Sequence, residues 1–409
     1  MIRLLFAAAA LLPVACSAQT QTQTSESQTG AATPDSTPPF TAETIGRFDS
    51  PFALAFLPDG RLLVSEKTGH IRLRATSGTV TDITGVPAVA YGGQGGLLDV
   101  TPAPDFATSG LIYWSYAEPR ESGSSLALAR GRLIESGGTA RLDGVEVLWR
   151  AGSDGAGGQF GAAIAFDPDG RSLYLSPGER QRFTPAQDPD QALGKIVHLT
   201  LDGAPWPGNP GFGTVGGRWV IVTDPPKDSE AAKTAPGRRV PARRPNTTPA
   251  ETWSSGHRNP YGLAFDDGGR LWEAEMGPQG GDEINLIRKG RNYGWPLASN
   301  GDNYDGVPIP DHRKGDGFEA PKAWWNPSIS PGGIAVYRGQ RFRGWQGSLL
   351  VAGLGSQTLI RLTLSGDRAT KADQWDMGAR IRDVAEAPDG SLWLIGDGDN
   401  APLLRLSAK

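Results

Sequence analysis

The sequence predicts an all-β chain, a six-bladed β-propeller with its functional loops gathered on one face over a central channel. Three observations carry that expectation. A strand–turn–strand pattern recurs six times, Asp-Gly turns punctuate it, and glycine and proline are abundant, at 56 and 33 of 409 residues. Residues 52–64 set the pattern: Phe52 to Phe56 is an apolar run, Pro58-Asp59-Gly60 a tight turn, and Leu62 to Val64 a second run. Residues 162–175, 262–272 and 384–394 repeat it, and residues 97–115 and 334–351 are looser copies. Asp-Gly between apolar runs is a strong hairpin signal, because glycine takes the positive φ of the turn without steric cost. Repeats at intervals of tens of residues denote a repeat architecture. A lone four-stranded sheet leaves both faces wet, whereas blades in a ring bury them against one another. Most of the 12 tryptophans are expected to serve that packing.

Composition excludes several classes of function. Hydrophobic residues make up 38% of the chain, the level of a soluble protein. The formal net charge is −4, so nothing electrostatic favours nucleic acid. The single cysteine, Cys16, precedes the repeats, which leaves the folded body without a disulfide. His70, His198, His257 and His312 do not have zinc-motif spacing, and no Gly-x-Ser-x-Gly nucleophile elbow is present.

Residues 1–18 read as a secretory leader, with Arg3 as the basic start and Leu4 to Leu12 as an apolar segment too short to anchor in a bilayer. Leu12-Pro13-Val14-Ala15-Cys16 has the form of a bacterial lipobox, which would make Cys16 a lipidated first residue; cleavage after Ala18 is the alternative. Residues 17–39 are Ser, Thr, Gln, Gly and Pro with almost no apolar side chain, the composition of a linker. The propeller is expected over 40–409. A Pro/Arg-rich inserted loop is expected at about 213–249, holding Arg238, Arg239, Arg243 and Arg244; a solvated loop and a docking surface for an electron acceptor are its two readings. The expected location is periplasmic, or at the outer membrane through a lipid anchor, which would be the only membrane contact.

Four segments are too polar and glycine-rich to be blade core. They are Gly92-Gly93-Gln94-Gly95-Gly96, Ser255-Gly256-His257-Arg258-Asn259-Pro260, Glu275 to Asn285 with its Gly277-Pro278-Gln279-Gly280-Gly281-Asp282-Glu283 run, and Asn292-Tyr293-Gly294-Trp295-Pro296 followed by Asn303-Tyr304. Loops like these are where propellers place functional groups. In order, and together with Ala186-Gln187-Asp188, Leu193 to Ile196 and Ile381-Arg382-Asp383-Val384, they resemble the soluble PQQ-dependent aldose sugar and glucose dehydrogenases over roughly residues 43–407, with the aldose-sugar branch nearer.

The resemblance implies pyrroloquinoline quinone (PQQ) over the channel and calcium beside it, oxidising an aldose and passing electrons to an external acceptor, a quinone or a cytochrome. It assigns carbonyls of Gly277 and Pro278 to calcium, with Glu283 and the Tyr293 carbonyl also linked to calcium. It assigns Gln94, Arg258, Asn259 and Tyr304 to the cofactor, and more loosely Gly332, Gly333, Ser356, Gln357 and Arg361. The residues suit this chemistry. Calcium takes oxygen ligands, often backbone carbonyls. PQQ is a tricarboxylate, and arginine binds carboxylate bidentately.

One position departs from the family. Its base is a histidine that precedes Phe-Gly, and here that place is Gln159, in Gly157-Gly158-Gln159-Phe160-Gly161. An amide has no titrating site near neutral pH and cannot act as general base. Three outcomes stay open: a carboxylate, with Glu179 foremost, takes the proton; a more acidic alcohol is the substrate; or the propeller binds sugar or PQQ without turnover. A calcium hydrolase of the lactonase type is a further class, and no set of inward carboxylates marks it here.

Overall fold

The glycines of the Asp-Gly turns have positive φ, 87° at Gly60, 71° at Gly170 and 77° at Gly390, and each joins two antiparallel strands. The computed structural model describes residues 37–152, 155–223 and 237–409. The leader, Cys16, most of the linker and the middle of the insertion lie outside the described residues.

Strands assemble into four-stranded antiparallel blades. Blade 1 is Pro51–Phe56, Leu62–Glu66, His70–Arg74 and Val80–Thr84. Blade 2 is Leu97–Pro102, Leu111–Arg120, Gly123–Ser136 and Thr139–Arg150, joined to blade 1 by a short parallel contact, Ile83 to Ala140. Blade 3 is Gly161–Phe166, Ser172–Pro177, Lys195–Thr200 and Thr252–Ser255. Blade 4 is Pro260–Phe265, Leu271–Glu275, Asp282–Ile287 and Ala323–Trp325. Blade 5 is Pro331–Val336, Leu349–Gly353, Thr358–Ser365 and Arg368–Asp376. Blade 6 takes Ile381–Glu386, Leu392–Gly396 and Ala401–Ala408 from the C-terminus and its outer strand, Phe40–Phe48, from the N-terminal side. The first strand of each blade touches the first strand of the next, and that of blade 6 touches that of blade 1, so the ring closes.

Blade faces bury apolar side chains against one another. Between blades 4 and 5, Trp272, Ile284 and Leu286 share one cluster with Ile334, Leu349 and Val351. Trp114, Trp272 and Trp375 are fully buried, in line with tryptophan as blade packing, whereas Trp219 in the insertion is exposed.

A polar stitch runs beneath this packing. Ser65 Oγ accepts the Ala53 amide of its own blade and donates to the Leu98 carbonyl of blade 2, at 3.1 and 2.5 Å. Ser115 does the same with the Asp99 amide and the Ala162 carbonyl of blade 3, and Ser176 with the Ala163 amide and the Pro260 carbonyl of blade 4. In blades 4 and 6 the matching second-strand positions are Ala274 and Ile395. Carboxylates add two bridges: Asp99 accepts the Ile164 amide of blade 3 at 2.7 Å, beside the Ser115 crossing, and Asp383 accepts the Leu54 amide of blade 1 at 2.8 Å, where blade 6 has Ile395 in place of the serine.

The six first strands enclose an axial channel of about 750 Å³, with Asp99, Asp383 and Arg382 in its wall. The insertion differs from a plain loop. Trp219–Thr223 and Gly237–Pro241 pair as a hairpin, its Val220 and Val222 packed on Ala242, followed by a helical turn at Thr248–Glu251. Alternating valines bury one hairpin face and leave Trp219 and Ile221 on the other. Arg243 is not a solvated cation: it donates to Glu251 and to the Arg150 carbonyl, which ties the insertion to blade 2.

Ser115→Ala leaves a buried amide and a buried carbonyl without their partner. Urea unfolding is expected to show a loss of about 1–3 kcal/mol. A second expectation concerns pH. Burial pushes the Asp99 carboxyl up to about 7 and that of Asp383 up to about 8. Above the ordinary carboxylate range the folded chain then keeps protons that the unfolded chain has lost. The contribution of these two carboxyls to stability therefore falls as pH rises from about 4 towards 8. Asp383→Asn should flatten part of that slope in urea titrations across the range.

Candidate functional site

An antiparallel meander places the start of every first strand at the same end as every turn between second and third strands. The Asp-Gly turns lie at the opposite end. Most of the predicted site residues, scattered over the sequence, therefore converge on one mouth of the channel. Gln94 and Gln159 precede the first strands of blades 2 and 3, and Arg258 and Asn259 that of blade 4. Glu179 and Gly277-Pro278 lie in the turns after the second strands of blades 3 and 4.

Hydrogen bonds join these loops into one network. Gln94 Oε1 accepts the Gln159 amide at 2.7 Å and the Tyr261 hydroxyl at 3.1 Å. Asn259 Oδ1 accepts the Gly161 amide at 3.1 Å. Arg258 donates from its backbone to Glu275 at 2.6 Å and from Nη1 to the carbonyls of Met276 and Gly277, at 2.9 and 2.5 Å. Its guanidinium also lies 5.2 Å from the Trp295 ring and 5.9 Å from the Tyr304 ring. Tyr304 itself is 59% exposed, a platform at the mouth rather than blade packing.

Gln159 is buried, with φ of 52°. Its loop is clamped by Arg180, whose guanidinium donates to the carbonyls of Ser124, Gly155, Gly157 and Gly158 and stacks on Phe160 at 3.8 Å. Gly161, at φ 62°, is required here, since a Cβ would lie 2.1 Å from the Ser176 carbonyl.

Glu179 does not stand as a base at the mouth. Its carboxylate is wholly buried and accepts the backbone amides of Gln181, Arg182 and Phe183. Those donors shape a turn in which Arg180, Gln181 and Phe183 all have positive φ. The carboxylate offsets the strain of that turn and has its lone pairs engaged.

On blade 5 the picture divides. Ser356 and Gln357 lie in the turn after its second strand, at the mouth. Gly332 and Gly333 lie on its first strand, where a Cβ would fall 2.2 Å from the Arg382 carbonyl and 1.8 Å from Asp383 Oδ1. Close approach to blade 6 demands glycine there. Arg361 is a correction. It sits within the third strand, bonded to Asp373 and Ser348 beside Trp345, as part of outer blade packing away from the mouth.

The calcium residues can be tested against the local charge. Glu273 and Glu275 alternate on one strand opposite Asn285 and Glu283 on the next. All three carboxylates lie 3.0–3.1 Å from Asn285 Nδ2, which has only two hydrogens. Glu273 Oε1, Asn285 Oδ1 and both ring nitrogens of His312 are buried without a hydrogen-bond partner among the described residues. Burial, then the neighbouring Glu275, pushes the carboxyls of Glu273 and Glu283 well up. The cluster lacks positive charge and offers oxygen donors, which fits a hard divalent cation. Beside it lies a cavity of about 10 Å³ lined by Gly256, Arg258, Glu275, Gly277, Glu283 and Tyr293. Tyr293 turns its hydroxyl away, to the Leu286 carbonyl, so only its backbone can serve this cavity. Glu273, Glu275 and Asn285 were not among the site residues expected from the sequence. The alternation of acids in Leu-Trp-Glu-Ala-Glu, on a strand that should be apolar on both faces, was the available signal.

The match to known proteins accords with this geometry. The family model for glucose/sorbosone dehydrogenase matches residues 48–223 and 232–405. The chain belongs to the glucose/sorbosone dehydrogenase family. An aldose sugar dehydrogenase of Escherichia coli (strain K12) is 36% identical over 373 residues, covering 89% of this chain and 91% of that protein. Quinoprotein glucose dehydrogenase B of Acinetobacter calcoaceticus is 26% identical, over 86% of this chain and 84% of that protein. Among solved structures, the PQQ-bound aldose sugar dehydrogenase of Streptomyces coelicolor is similar with a TM-score of 0.67 and 30% identity, covering 92% of this chain and 99% of that one. The apo form of the soluble Escherichia coli enzyme gives a TM-score of 0.77 at 34% identity, over 90% of this chain and all of that one. Membership makes the chain one of a family of oxidoreductases on a propeller scaffold.

For Glu179, a structural role predicts that Glu179→Gln loses about 2–4 kcal/mol in chemical denaturation, because three amides lose a charged acceptor.

Proposed function

We propose that this protein oxidises aldose sugars with PQQ and calcium, passing electrons to an external quinone or cytochrome. The observation that carries the reading is the single network of Gln94, Gln159, Arg258, Asn259 and the Gly277 carbonyl at the channel mouth, in a chain 30% identical to a structure solved with PQQ bound. Held there, PQQ would supply the hydride acceptor and calcium would supply the positive charge that polarises it.

The residues at the mouth suit that tricarboxylate. Arg258 supplies a buried charge on one side, and Asn259 an amide beside it. On the other side Arg382 lies over the rings of Phe52 and Tyr261, at 5.3 and 5.7 Å, at the top of the channel. Tyr304 and Gln94 border the open side. Gly277, Pro278, Glu283 and the Tyr293 carbonyl are the proposed calcium ligands. Arg258 donates to the Gly277 carbonyl, so the guanidinium and a calcium ion would share or divide that oxygen.

Gln159 can hold the anomeric hydroxyl by hydrogen bonding but cannot remove its proton. With Glu179 engaged by backbone amides, that proton passes to water at the mouth. Turnover is then expected to be slow relative to relatives with a base. The protein is proposed to be exported through its leader, with Cys16 as the point of lipid attachment.

The test is dye reduction by the full chain supplied with PQQ and calcium, against a panel of aldoses. Wild type should turn over slowly, and Gln159→His should be faster by about 10²–10⁴-fold. PQQ binding with turnover in neither form would favour a binding propeller, the reading that the neutral Gln159 supports. Failure to bind PQQ would overturn the cofactor assignment.

A further inference from the structure

The blade 1 side of the mouth carries more positive charge than its own residues neutralise. Asp397 is shared by two arginines, accepting Arg380 Nε at 2.9 Å and Arg382 at 3.0 and 2.6 Å. Glu66 is occupied by Arg72 at 2.8 Å and by the Asp49 amide at 2.9 Å. Lys67 follows Glu66, in the turn after the second strand of blade 1. Its ammonium donates to the Gly93 carbonyl at 2.7 Å and lies 5.9 Å from the Tyr91 ring. It makes no ion pair with a carboxylate among the described residues. Three cations therefore stand beside one carboxylate in a chain whose net charge is −4.

A partly buried ammonium with no anionic partner is costly. Burial, and then Arg382, lowers the pKa of Lys67, with Asp397 acting against them, so the ammonium stands among more positive than negative charge. The backbone holds the residue in place. The Lys67 carbonyl accepts the Leu97 amide at 3.1 Å, and a Cβ on Gly96 would fall 2.2 Å from that carbonyl. Gly93 adjoins Gln94, whose amide reaches Tyr261 and Gln159 across the mouth. The ammonium uses one of its three donors on Gly93, and the other two are available to an anion at the mouth.

We propose that Lys67 is a carboxylate-binding residue for the cofactor, completing with Arg258 and Arg382 a set of three cations around the mouth for a tricarboxylate. This rests on the assignment of PQQ to the mouth. Lys67 of blade 1 and Arg382 of blade 6 are neighbours on one side of the mouth, and Arg258, just before blade 4, stands on the other, so a flat ligand between them meets cations on both sides. Lys67 also holds the Gln94 loop through Gly93, and the test must separate these two roles.

The experiment titrates the full chain, at saturating calcium and without substrate, with PQQ and with its uncharged trimethyl ester, following binding by calorimetry. Lys67→Met should weaken PQQ binding about tenfold, the effect of one charge-assisted hydrogen bond. Lys67→Arg should restore most of the affinity, and the ester should bind wild type and Lys67→Met alike. Unchanged PQQ affinity in Lys67→Met would overturn the proposal. So would an equal loss for PQQ and ester, which would leave Lys67 as a brace for the Gln94 loop. Wild type that binds no PQQ would sink the cofactor assignment itself, a result distinct from either.

Discussion

Closure of the ring is the constraint on which the rest depends. Phe40–Phe48 pairs with Ala401–Ala408, so the outer strand of the last blade comes from the other end of the chain. Without that pairing blade 6 has three strands and nothing holds it to blade 1 through the chain. With it, six first strands are forced into mutual contact around an axis, and each must approach its neighbours closely. The Ser65, Ser115 and Ser176 bridges and the Asp99 and Asp383 carboxylates answer the need of amides and carbonyls in that crowded inner ring.

The same closure makes the site. Loops distant in sequence reach one mouth because every blade runs in the same direction around the axis. Their hydrogen bonds are then mostly from side chain to backbone: Gln94 to the Gln159 amide, Asn259 to the Gly161 amide, Arg258 to the Met276 and Gly277 carbonyls. Such bonds hold loops in fixed positions while leaving the mouth open. Strain is concentrated there too, at Gln159, Arg180, Gln181 and Phe183, and is held by Arg180 and Glu179. Charge is divided by depth. Three buried carboxylates sit behind the Gly277 turn, and cations ring the mouth in front of it.

The family resemblance implies a base at position 159, where this chain has Gln159, and the loop that carries Gln159 is as firmly built as the rest. Arg180 fixes the loop through four carbonyls whatever side chain stands at 159. The loop geometry around residue 159 therefore does not depend on the side chain there, which under the proposed function lets cofactor binding and proton removal be tested apart.

The propeller, its repeats and the Asp-Gly turns were legible in the sequence, because turn chemistry and strand alternation are local. Gln94, Arg258-Asn259, Gly277-Pro278 and Gln159 were candidates because their motifs are contiguous, and the fold brings their loops to one mouth. Tertiary structure decided the rest, because burial and partners depend on residues far apart in the chain. It gave Glu179 to a backbone turn, Arg361 to outer packing, and Gly332-Gly333 to close contact with blade 6. It also brought Glu273, Glu275 and Glu283 onto one amide, and set Lys67 of blade 1 beside Arg382 of blade 6, neighbours separated by most of the sequence and joined only when the ring closes.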